Sequence, residues 1–95
     1  MLVVRSEAEN DLAEAHQWYY ERHPDLGREF LGAVDAVFQT IETDPKLYAS
    51  VFRNVRRAFC RRFPYSVYYL ETGLDVVVIA VLHQRRNPAV WQLRA

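Results

Sequence analysis

Apolar residues recur every three or four positions through the first half of the chain and crowd into short runs after residue 50, so helices are expected first and strands afterwards. Leu2 to Val4 reads as a short strand. Ser6-Glu7-Ala8-Glu9 follows, a capping-box pattern in which Ser6 accepts a free helix N–H and Glu9 reaches back. A helix is therefore expected from this point, with Ala8, Leu12, Ala15 and Tyr19 as its apolar stripe. Pro24 stops it. Asp25 is placed to cap a second helix whose stronger apolar face comprises Phe30, Leu31, Val34, Val37, Phe38 and Ile41, ending near Asp44-Pro45. So short a link makes the two helices an antiparallel hairpin. Glycine in a helix interior costs about 1 kcal/mol relative to Ala; a close helix–helix approach at Gly32 accounts for that residue, whereas Gly27 is expected to lie in the first turn.

Beyond Tyr48 the segments 55–63, 65–71 and 75–83 are rich in β-branched and aromatic residues, with a turn at Glu71-Thr72-Gly73. They read as three antiparallel strands. Val76 to Leu82 is apolar at every position, the mark of an interior strand covered on both faces, by helices on one side and Tyr or Trp rings on the other. If that strand is regular, His83 shares a face with Val77, Ile79 and Val81. The expected fold is α+β: a short N-terminal strand and a helical hairpin packed on a three- to four-stranded antiparallel sheet, one domain over residues 1–95 without linkers or repeats.

A single cysteine, Cys60, excludes an internal disulfide and fits a reducing cytoplasm. The run Val76–Leu82 is far short of the roughly twenty residues a membrane span needs, and no signal pattern opens the chain. Net charge is zero but unevenly spread: residues 1–50 carry four basic groups against ten acidic, and residues 51–95 carry eight arginines against Glu71 and Asp75. The arginine-rich half suits phosphate or carboxylate partners, unless the acidic helices neutralise it internally. No Cys/His cluster has metal-ligand spacing, no glycine loop cradles a phosphate, and no serine sits in a nucleophile elbow, so no metal or cofactor is implied. His16 and His23 read as surface residues.

Across nearly the full chain the sequence resembles the RelE/ParE toxin superfamily. The resemblance lies in the order and spacing of Ala8–Leu12 with Trp18-Tyr19-Tyr20, Gly27-Arg28-Glu29-Phe30, Pro45-Lys46-Leu47-Tyr48, Val55-Arg56-Arg57, Arg62-Phe63-Pro64-Tyr65-Ser66-Val67-Tyr68-Tyr69 and His83-Gln84-Arg85-Arg86-Asn87-Pro88, with Trp91 behind. It implies a helical hairpin on an antiparallel sheet, and the toxin of a type II toxin–antitoxin (plasmid stabilisation) module, held inactive by an antitoxin encoded beside it. RelE-like members cut messenger RNA on the ribosome and ParE-like members poison DNA gyrase; fold alone does not choose between them.

The residues favour the second. Metal-free RNA cleavage needs proton transfer and cations for the phosphorane, for which His83 is the one candidate acid–base group, with Arg57, Arg61, Arg85 and Arg86 as cations. Yet the chain has no net positive charge to draw it to ribosomal RNA. RelE-like nucleases also place an arginine where this chain has Pro64-Tyr65, and a Tyr or Phe where it has Gln84-Arg85-Arg86. The expected activity is gyrase inhibition by binding, through Arg57, Arg61, Arg62, Arg85, Arg86 and an anchoring Trp91. Trp18, Tyr20, Tyr48 and Phe52 are the expected antitoxin contacts. A ribosome-dependent endoribonuclease is the alternative, and a module that stacks bases on Phe59, Phe63 and the tyrosines is a third reading.

Overall fold

Proline at position 24 lacks the N–H that would continue a helix, and the chain reverses there. In the computed structural model, which describes all residues from Met1 to Ala95, the elements run β1 (Leu2–Val4), α1 (Ser6–Arg22), α2 (Pro24–Thr43), β2 (Ser50–Phe52), β3 (Val55–Phe59), β4 (Tyr65–Thr72), β5 (Asp75–His83) and α3 (Ala89–Gln92). Both helix starts differ from expectation. Arg5 occupies the N-cap of α1 and makes no side-chain cap, while the Ser6 hydroxyl donates to Glu7. The free N-terminal N–H groups instead draw in the Glu7 carboxylate, whose pKa is lowered by its own main-chain N–H and then by Ser6. For α2 the cap is His23, whose Nδ1 accepts the Asp25 N–H at 3.2 Å; Asp25 turns to pair with Arg28.

The hairpin closes tightly at Gly27, not Gly32. A Cβ at Gly27 would stand 3.1 Å from Cα and Cβ of Tyr20, whereas Gly32 faces open space. The first turn of α2 is thus the point of closest approach, because only His23 separates α2 from the end of α1.

Five strands form one sheet in the order β1-β5-β4-β3-β2. β1 runs parallel to β5, with Leu2 beside Val76 and Val4 beside Val78, and the other pairs are antiparallel. The sheet is therefore mixed and one strand wider than expected from the sequence. β2 is only three residues long, too short for alternation to register, and nothing in three apolar residues fixes the direction of β1. β3 also ends at Phe59, four residues early: Arg62 adopts a positive φ of 70° and turns the chain toward Pro64.

β5 is covered on both faces, as its unbroken apolar run requires. On the hairpin side Val76, Val78 and Val81 pack with Ala8, Ala15, Tyr19, Phe30, Val34 and Ile41. On the opposite side Val77, Ile79, Ala80 and Leu82 pack with Val55, Tyr68, Leu70 and Trp91 of α3. The break in alternation has a definite cause. Tyr68 pairs with Ala80 but Tyr69 pairs with Val78, so Ile79 is an extra residue, a β-bulge. His83 consequently lies on the face of Val78 and Val81, not with Val77 and Ile79.

That bulge also turns two successive carbonyls toward the β1 edge. Val78 C=O accepts the N–H of Arg5, the residue after β1. Past that point the outer edge of β5 has no strand beside it, and side chains take over: Arg94 Nη1 donates to Ile79 C=O at 3.1 Å, and the Asp11 carboxylate accepts the Val81 N–H at 3.1 Å. Asp11 and Arg94 pair with each other at 2.6 Å and 3.2 Å, their side chains only 11% and 19% exposed. This fork ties α1, β5 and the C-terminal tail together, and the hydrogen bonds that Arg94 donates to the Asp11 carboxylate raise the pKa of the guanidinium.

Two outcomes are expected. Asp11→Ala strands a guanidinium and a main-chain N–H, and should lower unfolding stability by about 2–4 kcal/mol, with Asp11→Asn losing less because it retains an acceptor; urea denaturation reads both. The second concerns alkali. Burial pushes Tyr69, whose hydroxyl donates to Pro45 C=O at 2.7 Å, up to about 12 from an ordinary value of 10.0. A group whose folded pKa is raised stabilises fully below its unfolded pKa, so this contribution, about 2–3 kcal/mol, disappears as pH rises from 10 toward 12. Tyr69→Phe should flatten that part of the stability–pH curve.

Candidate functional site

Where β1 has ended and α1 still crosses the sheet, a cleft of about 510 Å³ opens between them. Its walls are Asp11, Glu14, Ala15 and Trp18 of α1, and Val81, Leu82 and His83 of β5; Pro64, Tyr65 and Arg86 close the far end. Each is there for a local reason. Tyr65 opens β4 opposite His83, and their rings meet at 5.4 Å, nearly perpendicular. Burial raises the Tyr65 pKa, and the nearby Arg86 partly offsets this. His83 Nδ1 accepts the Arg85 N–H at 3.0 Å, which leaves the ring proton on Nε2. Trp18 is half exposed and carries the Arg22 guanidinium 3.3 Å above its ring.

The expected antitoxin contacts are not gathered on one surface. Trp18 lines the cleft, but Tyr20, two residues on, lies across the buried Tyr19 stripe beside His16 and Gly27. Tyr48 is half-buried against the hairpin-side core, and Phe52 packs edge-on against Trp91 on the other face. Aromatic size alone drew these four together in the sequence.

The arginines divide differently. Arg62 is paired with Glu29 at 3.2 Å and so belongs to the contact between hairpin and sheet. Arg57, Arg61, Arg85 and Arg86 have no carboxylate within ion-pair distance, and neither does Arg53. Of the eight arginines beyond residue 50, only Arg62 and Arg94 pair with hairpin carboxylates, so internal neutralisation does not account for the basic half. Arg57 lies over the exposed Phe59 ring at 4.7 Å, with its Nε buried and without an acceptor. Arg53 sits at φ 53° in the β2–β3 turn, beside Phe52. In the sequence Phe59 was expected at the surface only as a base-stacking ring, and Arg53 was not among the arginines expected to contact gyrase; alternation along a five-residue strand following a two-residue turn was the available signal.

Trp91 is 4% exposed and stacks on Tyr68 at 4.5 Å and 16°. Its ring is a lid on the sheet, not an anchor offered to a partner, because α3 needs one large apolar side chain to seal a face that no long helix covers. No three His, Cys, Asp or Glu side chains lie together as a metal site would need, and no helix is long and apolar enough to cross a membrane.

A family model described as the ParE toxin of the type II toxin-antitoxin system, parDE, matches residues 2–88. Toxin ParE2 of Mycobacterium tuberculosis, in strains CDC 1551 / Oshkosh and ATCC 25618 / H37Rv alike, is 35% identical over 88 residues, 92% of this chain and 84% of the relative. Among solved structures, a chain of the chromosomal ParDE TA system from P. aeruginosa superposes with a TM-score of 0.65 over 86% of this chain and 92% of its own, at 17% identity, a likeness of fold.

The two tryptophans should respond oppositely to truncation. Trp91→Ala is expected to cost about 3–5 kcal/mol of unfolding free energy, and Trp18→Ala about 1 kcal/mol or less. Paired denaturation curves measure the difference.

Proposed function

Because the chain belongs to the ParE toxin family of type II toxin–antitoxin systems, we propose that it inhibits DNA gyrase by binding, in the cytoplasm, and that a cognate antitoxin neutralises it there. The observation that carries this reading is the set of arginines left without carboxylate partners, Arg57, Arg61, Arg85 and Arg86, joined by Arg53. Unpaired guanidinium groups keep their full capacity for carboxylates or phosphates, and both are available on a topoisomerase holding DNA. Apart from Asp11 and Glu29, no carboxylate of α1 or α2 pairs with an arginine beyond residue 50, so the opposite charges of the two halves of the chain are largely left uncancelled by internal pairing. A two-sided charge distribution steers one face toward an anionic target and leaves the other for a different partner. On this reading Arg62 and Trp91 act through the fold, and Trp18 is the antitoxin contact.

One observation favours a second reading, a ribosome-dependent endoribonuclease. His83, Arg86, Tyr65 and Glu14 line a single cleft, so a proton-transfer group and a cation do meet. Against it, His83 Nδ1 is occupied by the Arg85 N–H, leaving the ring able to donate from Nε2 but without a free nitrogen to take a ribose proton.

Supercoiling assays separate the two. Purified protein should block gyrase, replacement of Arg57, Arg61, Arg85 and Arg86 by Ala together should weaken the block at least about tenfold, and His83→Ala should change it little. Cleavage of message in a translating extract, abolished by His83→Ala, with gyrase unaffected, would establish the nuclease instead.

A further inference from the structure

Of the buried side-chain nitrogens and oxygens in the chain, two have no hydrogen-bond partner, Arg57 Nε and Ser66 Oγ. Both belong to one patch of the sheet. Arg57 and Phe59 alternate with Ala58, which packs toward the hairpin, and so point to the side of Val55 and Trp91. Across the β3–β4 ladder Phe59 stands opposite Ser66 and Arg57 opposite Tyr68, which makes Arg57 and Ser66 diagonal neighbours on that face. The Arg57 guanidinium lies 4.7 Å from the centroid of the Phe59 ring, and that ring is half exposed. Buried polar groups are nearly always satisfied, so two orphans at neighbouring positions beside a solvent-facing cation and ring call for an acceptor from outside the chain.

The charge around them is of one sign. Gln84 N–H donates to Pro64 C=O, which ties the β3–β4 loop to the segment after β5 and brings Arg61 and Arg85 to the end of the sheet where Phe59 and Ser66 lie. Arg57, Arg61 and Arg85 have no carboxylate partner. The two carboxylates of the second half of the chain, Glu71 and Asp75, flank the turn at the other end, roughly 17 Å along β4 from Ser66. Glu71 is taken up there by Arg56 and Lys46, and Asp75 by the N-terminus. A protein partner carries both signs and is met by both; cations free of carboxylates match a ligand that is negative throughout.

Resting on the reading that gyrase is the target, we propose that this patch binds the sugar–phosphate backbone of the DNA that gyrase holds, so that the toxin grips the nucleic acid as well as the enzyme. Arg57 makes the central phosphate contact and Arg61 and Arg85 flank it, each guanidinium offering paired N–H donors to phosphate oxygens. Phe59 is a positioning residue, its ring holding the Arg57 guanidinium in place. With zero net charge the toxin gains little from long-range attraction to free DNA, and the patch becomes effective where the enzyme supplies the rest of the contact.

The test measures the affinity of the full-length toxin for reconstituted gyrase, with and without a bound DNA duplex, over a series of potassium chloride concentrations. Binding is expected to be about tenfold or more tighter with DNA present, a preference that Arg57→Ala and Phe59→Leu each reduce at least about threefold and Phe59→Tyr retains. Arg57→Ala should also make the log–log salt dependence for the DNA-bound enzyme shallower by about 0.9, the share of one phosphate. The same variant should melt near the parent, because it removes an unsatisfied donor; a purely structural role would lower the melting temperature and leave the salt slope alone. Equal affinities with and without DNA, or a DNA preference untouched by Arg57→Ala and Phe59→Leu, overturn the nucleic-acid contact and leave gyrase inhibition standing. Absence of binding to gyrase in either state overturns both. Should Arg57→Ala fail to fold, Arg57→Lys carries the comparison, since it keeps the charge and loses the planar fork: a reduced DNA preference supports the contact, and an unchanged one overturns it.

Discussion

A single extra residue in β5 organises much of this molecule. With Ile79 inserted opposite the Tyr68–Tyr69 step, two carbonyls in succession face the outer edge, and β1 is long enough to reach only the first. A main-chain group left unpaired at that depth costs as much as a lost hydrogen bond or more. The chain meets this with two side chains from opposite ends of the sequence, Asp11 on α1 and Arg94 three residues past Trp91. Each satisfies one β5 group and both satisfy each other, so α1, β5 and α3 are held at one point.

The same bulge sets what lies downstream. It shifts the alternation so that Val81 and His83 face the hairpin side while Leu82 faces Trp91. His83 thereby joins Tyr65, Trp18 and Arg86 around a cleft, in place of lying among Val77 and Ile79. Anchoring Arg94 also draws α3 across the far face, where Trp91 stacks on Tyr68. Beyond residue 50 the unpaired arginines are those that the fork, the Glu29 contact and Glu71 do not recruit, and they give the protein its basic surface.

The helices, the three long strands and the double-sided burial of β5 were legible in the sequence, because period and length in those segments leave little choice. Three things were not. The bulge has no residue signature in a run of Val, Ile and Ala, and without it the face of His83 reads wrongly. The short partners β1 and β2 carry too few residues to show direction or alternation. Long-range polar pairs such as Asp11 with Arg94, or Glu29 with Arg62, join positions whose proximity only the folded chain creates, so Arg62 read as a free cation. Trp91 read as an anchor for the same reason: exposure is a property of what α3 rests on, not of tryptophan. The identity of the family was carried by the order and spacing of many weak motifs along the chain.

Residue-resolved native-state hydrogen exchange on the free protein tests the central arrangement most directly. Because Val81 N–H is held by Asp11 and His83 N–H by nothing, the amide of Val81 should exchange as slowly as the core strands, and that of His83 should exchange at close to the rate of an open loop. Comparable protection at the two amides would mean that the edge is not divided as described, and the roles given to the bulge, the fork and the cleft would fall together.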